Sequence, residues 1–115
     1  MIMIKRIYEP ASKTDGFRVL VDRLWPRGVT KDRAKIDAWL KDIAPSAELR
    51  AWFSHDPLKW QEFKKRYFRE LSRHNKDLKP LTAYAKRHGV TLLYGAKDKR
   101  NNNAVALSEY LKSRR

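Results

Sequence analysis

The stretch RVLVDRLWPRG, residues 18–28, sets one carboxylate and two guanidinium groups, Asp22, Arg23 and Arg27, directly behind an apolar run and around the turn residues Pro26 and Gly28. The planar fork of arginine suits bidentate contact with a phosphate or carboxylate, Gly28 permits close backbone approach, and Pro26 stiffens the turn. This is the chemistry of anion binding. A second acid, Asp98, follows Lys97 and precedes the run Asn101, Asn102, Asn103. Two carboxylates can divide general acid and base work or share a divalent cation, so Asp22 and Asp98 are the catalytic candidates. The plainer alternative is that Asp22 forms a structural ion pair with Arg23, Arg27 or Arg50 while Trp25 packs. Ser46, with Arg50 one turn later, makes a third polar group. Its expected duty is to cap a helix rather than to act as a nucleophile.

For these groups to meet, the chain has to deliver several strand ends to one edge of a sheet. Residues 2–8 and 17–25 are rich in β-formers, and the run Val19, Leu20, Val21 predicts a strand buried on both faces. The intervening EPASKTDG is short for a parallel crossover, so the first strand is expected to run antiparallel to the second or to lie elsewhere. Residues 37–43 are read as a third strand, stopped by Pro45. Ser46 then caps a helix bearing Leu49, Trp52 and Phe53. Asp56 and Pro57 open another, striped by Trp60, Phe63, Tyr67 and Leu71. A third helix is predicted over 78–87, with Pro80 in its first turn and Gly89 just past its end. Residues 90–96, VTLLYGA, form a further buried strand, and Asn102 or Asn103 caps a last helix burying Ala104, Leu107 and Leu111.

Strands embedded among helices, with wholly apolar strand cores, predict a single α/β domain: a Rossmann-like three-layer sandwich with a small, mostly parallel sheet. Ligands of such sheets bind outside the carboxyl ends of the strands. If the second, third and fourth strands run the same way, three exits share that edge: Asp22, Arg23, Arg27 and Lys31; Ser46 and Arg50; Lys97, Asp98 and Asn101 to Asn103.

Composition narrows the classes. The 115 residues hold 27 Lys and Arg against 13 Asp and Glu, a formal charge of +14, which favours a polyanionic partner and is equally met by a solvated lysine-rich face. The cations Lys59, Lys64, Lys65, Arg66, Arg69 and Arg73 on one helix are read as such a face. With no cysteine, disulfides, thiolate metal sites and cysteine nucleophiles are excluded. His55, His74 and His88 lack metal-ligand spacing, and no phosphate-loop, dinucleotide or zinc-protease motif occurs, so neither metal nor cofactor is expected. No apolar run reaches a membrane span, and the first residues lack signal-peptide features. The expected setting is cytoplasmic, without membrane contact, and the monomer is favoured.

Three separated segments, RVLVDRLWPRG, WLKDIAPSAELRAWF and LLYGAKDKRNNNAVALSEYL, occur in the order seen in the YeaO-like branch of the domain of unknown function 488 family, which the chain resembles over nearly its whole length. The resemblance implies a compact bacterial cytosolic α/β domain, with Asp22, Arg23, Trp25, Pro26, Arg27, Gly28, Pro45, Ser46, Leu49, Arg50, Lys97 and Asn102 on motif positions. It brings no established activity. Members of that branch often carry an Asn-His or His-Asn pair near the stretch written here NNNA. An amide there cannot shuttle protons near neutral pH, which counts against imidazole chemistry at this spot.

Three readings follow. The first is a small anion-binding protein whose ligand is a nucleotide or nucleic acid, with Arg23, Trp25, Arg27, Gly28, Ser46, Arg50, Lys97 and Asn102 as binding candidates. The second is an enzyme using Asp22 or Asp98, and the third is a protein–protein module meeting an acidic partner.

Overall fold

The computed structural model describes residues 1–113. Its centre is a four-stranded sheet, all parallel, made of β1 (Ile2–Arg6), β2 (Phe17–Leu20), β3 (Ala38–Trp39) and β4 (Val90–Tyr94) in the order β1-β4-β2-β3. Leu92 lies between Ile4 and Val19, and Leu20 pairs with both Leu93 and Trp39. The fully apolar runs occupy the middle of the sheet, where both faces are covered: Val19, Leu20, Val21, Val90, Leu92 and Leu93 are all fully buried. The first strand does lie elsewhere. It runs parallel on the far side of β4 from β2, and residues 7–16 cross to β2 with one 3-10 turn, Lys13–Asp15, in place of a crossover helix.

The layers on the two faces are unequal. One face carries four helices, α2 (Ala47–Phe53), α3 (Trp60–Leu71), α4 (Asn75–Arg87) and α5 (Asn103–Ser113). They pack Leu49, Phe53, Phe63, Tyr67, Leu81, Leu107 and Leu111 onto Val19, Val21 and Leu92. Across the sheet, the one-turn helix α1 (Lys31–Ala34) and loops place Ile7 and Ala34 with Trp25, Val29, Ile36 and Trp39 on Leu20 and Leu93. So thin a cover also needs polar fastening. Arg18, buried on β2, bonds the Asp15 carboxylate at 2.5 Å and the carbonyls of Ala34 and Lys35 at 2.7 and 3.1 Å, which ties the end of α1 to the sheet. Lys5 and the Ser12 N–H complete the partners of Asp15.

Several element boundaries differ from expectation. β2 ends at Leu20, because the chain after Val21 is drawn into side-chain bonds at Asp22 instead of pairing onward to residue 25. The third strand is only Ala38–Trp39; after one more sheet bond, from Leu40 N–H to the Leu20 carbonyl, the backbone tightens into a 3-10 turn at Lys41–Ile43. α4 begins at Asn75 rather than 78, since α3 runs into it through the 3-10 turn Ser72–His74. Pro80 is therefore inside the helix, on its exposed side, where water reaches the carbonyl its ring leaves without a partner. The end of α4 is as expected: Gly89 adopts φ 81° and its N–H bonds the Tyr84 carbonyl. None of the described helices is long and apolar enough to cross a membrane.

Candidate functional site

Because β2, β3 and β4 are parallel, their exits meet at one edge of the sheet. A cavity of about 460 Å³ opens there. Its polar lining comes from Asp22 and Arg23 after β2, Arg50 on α2, Asn101 and Asn102 between β4 and α5, and Asn103 at the start of α5; Leu24, Phe53 and Phe63 supply apolar wall, and His55 also lines it.

Asp22 is the hub of the site. Its Oδ2 accepts the Gly95 N–H at 2.8 Å and its Oδ1 accepts the Asn103 side-chain amide at 3.0 Å, while its backbone carbonyl receives the Trp39 indole N–H at 2.7 Å. One residue thus joins the ends of β2, β3 and β4 and the start of α5. Gly95 is what lets the carboxylate come so near, since a Cβ there would stand 3.2 Å from Oδ2. Burial pushes the Asp22 carboxyl above the usual aspartate range; the bonds from Asn103 and Gly95 and the charge of Arg50 reverse only part of that shift.

The two arginines differ in what remains free. Arg23 donates Nε and one terminal nitrogen to the carbonyls of Pro45 and Ala44, at 3.2 and 3.4 Å, fastening the approach to α2. Arg50 is exposed, and its guanidinium has no hydrogen-bond partner among the described residues. α2 is held in place to present it. The Ser46 hydroxyl accepts the Leu49 N–H at 3.1 Å and donates to Glu70 at 2.6 Å, and the other Glu70 oxygen takes the Ser46 N–H at 2.8 Å. Below this, the buried Tyr67 hydroxyl donates to the Ile43 carbonyl at 2.7 Å, and burial raises its pKa well beyond the ordinary tyrosine value.

Of the residues singled out from sequence, Asp22, Arg23, Arg50 and Asn101 to Asn103 line this cavity, and Trp25, Arg27, Gly28, Lys31, Ser46, Lys97 and Asp98 do not. Trp25 packs edge-on against Trp39 and donates its indole N–H to the Val29 carbonyl at 2.7 Å. The Arg27 carbonyl accepts the Tyr8 hydroxyl, its side chain is exposed, and Gly28 turns at φ 73° in open space. Lys97 is exposed. Asn102 is buried, with Oδ1 capping Val105 N–H and Nδ2 on the Asp98 carbonyl. Asp98 accepts the backbone N–H groups of Arg100 and Asn101, then the Asn101 amide, and those bonds hold its carboxyl below the usual range. The two candidate acids thus shift in opposite directions, and only Asp22 borders the cavity. No cluster of three His, Asp or Glu side chains suited to a metal ion occurs among the described residues.

The sequence placed Asn103 at this edge as a candidate helix cap and did not place His55 there. Asn103 serves Asp22 and the Val21 carbonyl rather than a helix cap. His55 reaches the cavity because Ser54 and His55 both take left-handed backbone angles, φ 47° and 55°, ahead of Asp56-Pro57. The only visible signal was that pair of turn residues.

The basic helix α3 has half of its cations engaged. Arg66 lies over Trp52 at 4.0 Å and bonds Glu62, while Lys64 bonds Glu109 and lies over Trp60. A second groove, along α4, is lined by Lys79, Thr82, Lys86 and Arg87, whose cations have no ion-pair partner among the described residues.

All of residues 1–115 match a family model described as the inactive DUF488-N3 subclade. The uncharacterized protein YeaO of Escherichia coli (strain K12) is 44% identical over 112 residues, covering 97% of this chain and 97% of that one. Uncharacterized proteins of Mycobacterium bovis and Mycobacterium tuberculosis (strain H37Rv) are each 39% identical over 115 residues, covering 98% of this chain and 95% of theirs. No solved structure matches. The resemblance read from three short segments thus extends over the full length.

Proposed function

The chain belongs to the DUF488 family, in the subclade described as inactive, and from that premise we propose that it binds a phosphate-bearing anion in the cleft at the carboxyl edge of the sheet without turning it over. One observation carries this reading. Arg50 stands at a cavity large enough for a small molecule, with every guanidinium N–H unspent, on a helix fixed by the Ser46–Glu70 contacts. Such a fork matches phosphate oxygens in pairs, and Arg23, which keeps one terminal nitrogen unbonded, belongs to the same lining. The enzymatic alternative is weaker on two counts: the subclade description, and the absence of Asp98 from the cavity lining.

Isothermal titration with inorganic phosphate tests the proposal. Saturable binding is expected for the native protein, weakened about tenfold in Arg50→Ala, as for loss of one charge-assisted pair. Absence of binding at low salt, or equal affinity in the variant, overturns it.

The α4 groove supports a second reading, contact with a nucleic-acid backbone through Lys79, Lys86 and Arg87. That contact calls for affinity falling steeply with salt. An oligonucleotide that fails to bind at low ionic strength removes it.

A further inference from the structure

The anion-binding reading assigns a partner to Arg50 and Arg23 and none to the other polar groups of the cleft, and those groups ask for something different. When ionised, Asp22 can only accept hydrogen bonds. Each of its oxygens takes one hydrogen bond, from Gly95 and Asn103, so about half of its lone-pair sites stay open beside the cavity. Asn103 spends both amide hydrogens on the Val21 carbonyl and Asp22, Asn101 spends one of its two on Asp98, and each keeps a carbonyl oxygen with no bond among the described residues. The wall around Asp22 is therefore rich in unspent acceptors, whereas the unspent guanidinium donors are those of Arg50 and Arg23. A bare phosphate has only acceptor oxygens and negative charge. Set against Asp22 it would be repelled; it fits at the two arginines.

From this division we infer that the ligand carries hydroxyl groups as well as a phosphate, the hydroxyls donating to Asp22, Asn101 and Asn103 and the phosphate accepting from Arg50: a sugar phosphate or a nucleotide. The inference rests on the anion-binding reading and adds the other end of the molecule. Neutral hydroxyls suit the acceptor wall better than an ammonium group does, because a chain of formal charge +14 repels a cationic end. Half-burial of Asp22 strengthens the case: its carboxylate has lost much of its water, so a hydroxyl that restores a hydrogen bond there gains more than it does at the surface. Phe53, Phe63 and Leu24 then offer the apolar wall on which the carbon skeleton or a base can rest.

The test compares inorganic phosphate, ribose 5-phosphate and adenosine monophosphate by isothermal titration, with the native protein and with Asp22→Asn, whose folding is checked by thermal melting. In the native protein, ribose 5-phosphate is expected to bind about tenfold more tightly than inorganic phosphate. In Asp22→Asn that advantage shrinks toward unity. If the variant fails to fold, the comparison of phosphate with ribose 5-phosphate on the native protein decides the matter. Equal affinities there, or an advantage that survives in a folded Asp22→Asn, overturn the inference and leave phosphate binding standing. Absence of binding by all three ligands overturns the anion-binding reading and this inference with it. Tighter binding of adenosine monophosphate than of ribose 5-phosphate identifies the ligand as a nucleotide; the reverse order identifies a sugar phosphate.

Discussion

Asp15 and Asp22 are both drawn out of water, and their acidities move in opposite directions. Burial raises each, but at Asp15 the Ser12 N–H, Lys5 and Arg18 overcome that effect and leave its pKa below the ordinary aspartate value, whereas at Asp22 burial prevails. The lowered pKa of Asp15 means that its contribution to stability is complete above about pH 4, the unfolded value, and is lost as pH falls through the folded pKa. The raised pKa of Asp22 has the opposite sign: it favours the folded chain below about pH 4, and that contribution is lost as pH rises through the folded pKa. Asp15→Asn, which breaks a buried ion pair, is expected to cost about 3 kcal/mol in urea denaturation at pH 7. The gap from the native protein should narrow progressively below about pH 4; a gap that is constant or widens toward acid contradicts the assignment. Asp22 could be singled out from sequence because it directly follows an apolar strand run. Arg18 could not, since an arginine inside FRVL reads as a solvent-facing residue, and only the crossing loop that brings Asp15 beneath it makes its burial tolerable.

At the scale of elements, α2 depends on its first turn. Ser46 serves both as its cap and as its tie to Glu70 of α3, and Arg50 follows one turn later. Ser46→Ala is expected to lower stability by about 1–2 kcal/mol in a thermal or urea melt, from the lost cap and the donor withdrawn from Glu70; no change in stability would show that neither contact matters. Helix signals were the most readable part of the chain. The Ser46 and Asp56 caps, the stripe Trp60, Phe63, Tyr67, Leu71 and the terminating Gly89 all act as their local chemistry dictates. β3 and the start of α4 were less legible, because each depends on distant partners. Ala38–Trp39 is a strand only where β2 gives it an edge, and residues 75–77 join α4 because α3 delivers the chain already turning.

Across the whole molecule, the parallel pairing of β2 with β4 settles where chemistry can occur, for it puts the exits after Leu20 and Tyr94 on the same edge. Strands buried on both faces announced their interior position through uninterrupted apolar runs. The direction of β1 was hidden, since its partner β4 lies at the other end of the chain and the short loop after β1 argued only against adjacency to β2. The excess positive charge is unevenly available: Lys64 and Arg66 on α3 are engaged by Glu109, Trp60, Glu62 and Trp52, while Arg50 at the cleft and the cations along α4 are free of ion pairs among the described residues. The most direct test of the binding site is therefore one that reports position. In amide chemical-shift mapping with ribose 5-phosphate, the predicted result is saturable shifts centred on Arg50, Ala51, Gly95, Asn101 and Asn103. Shifts confined to Lys79, Lys86 and Arg87, or no shifts at all, would contradict it.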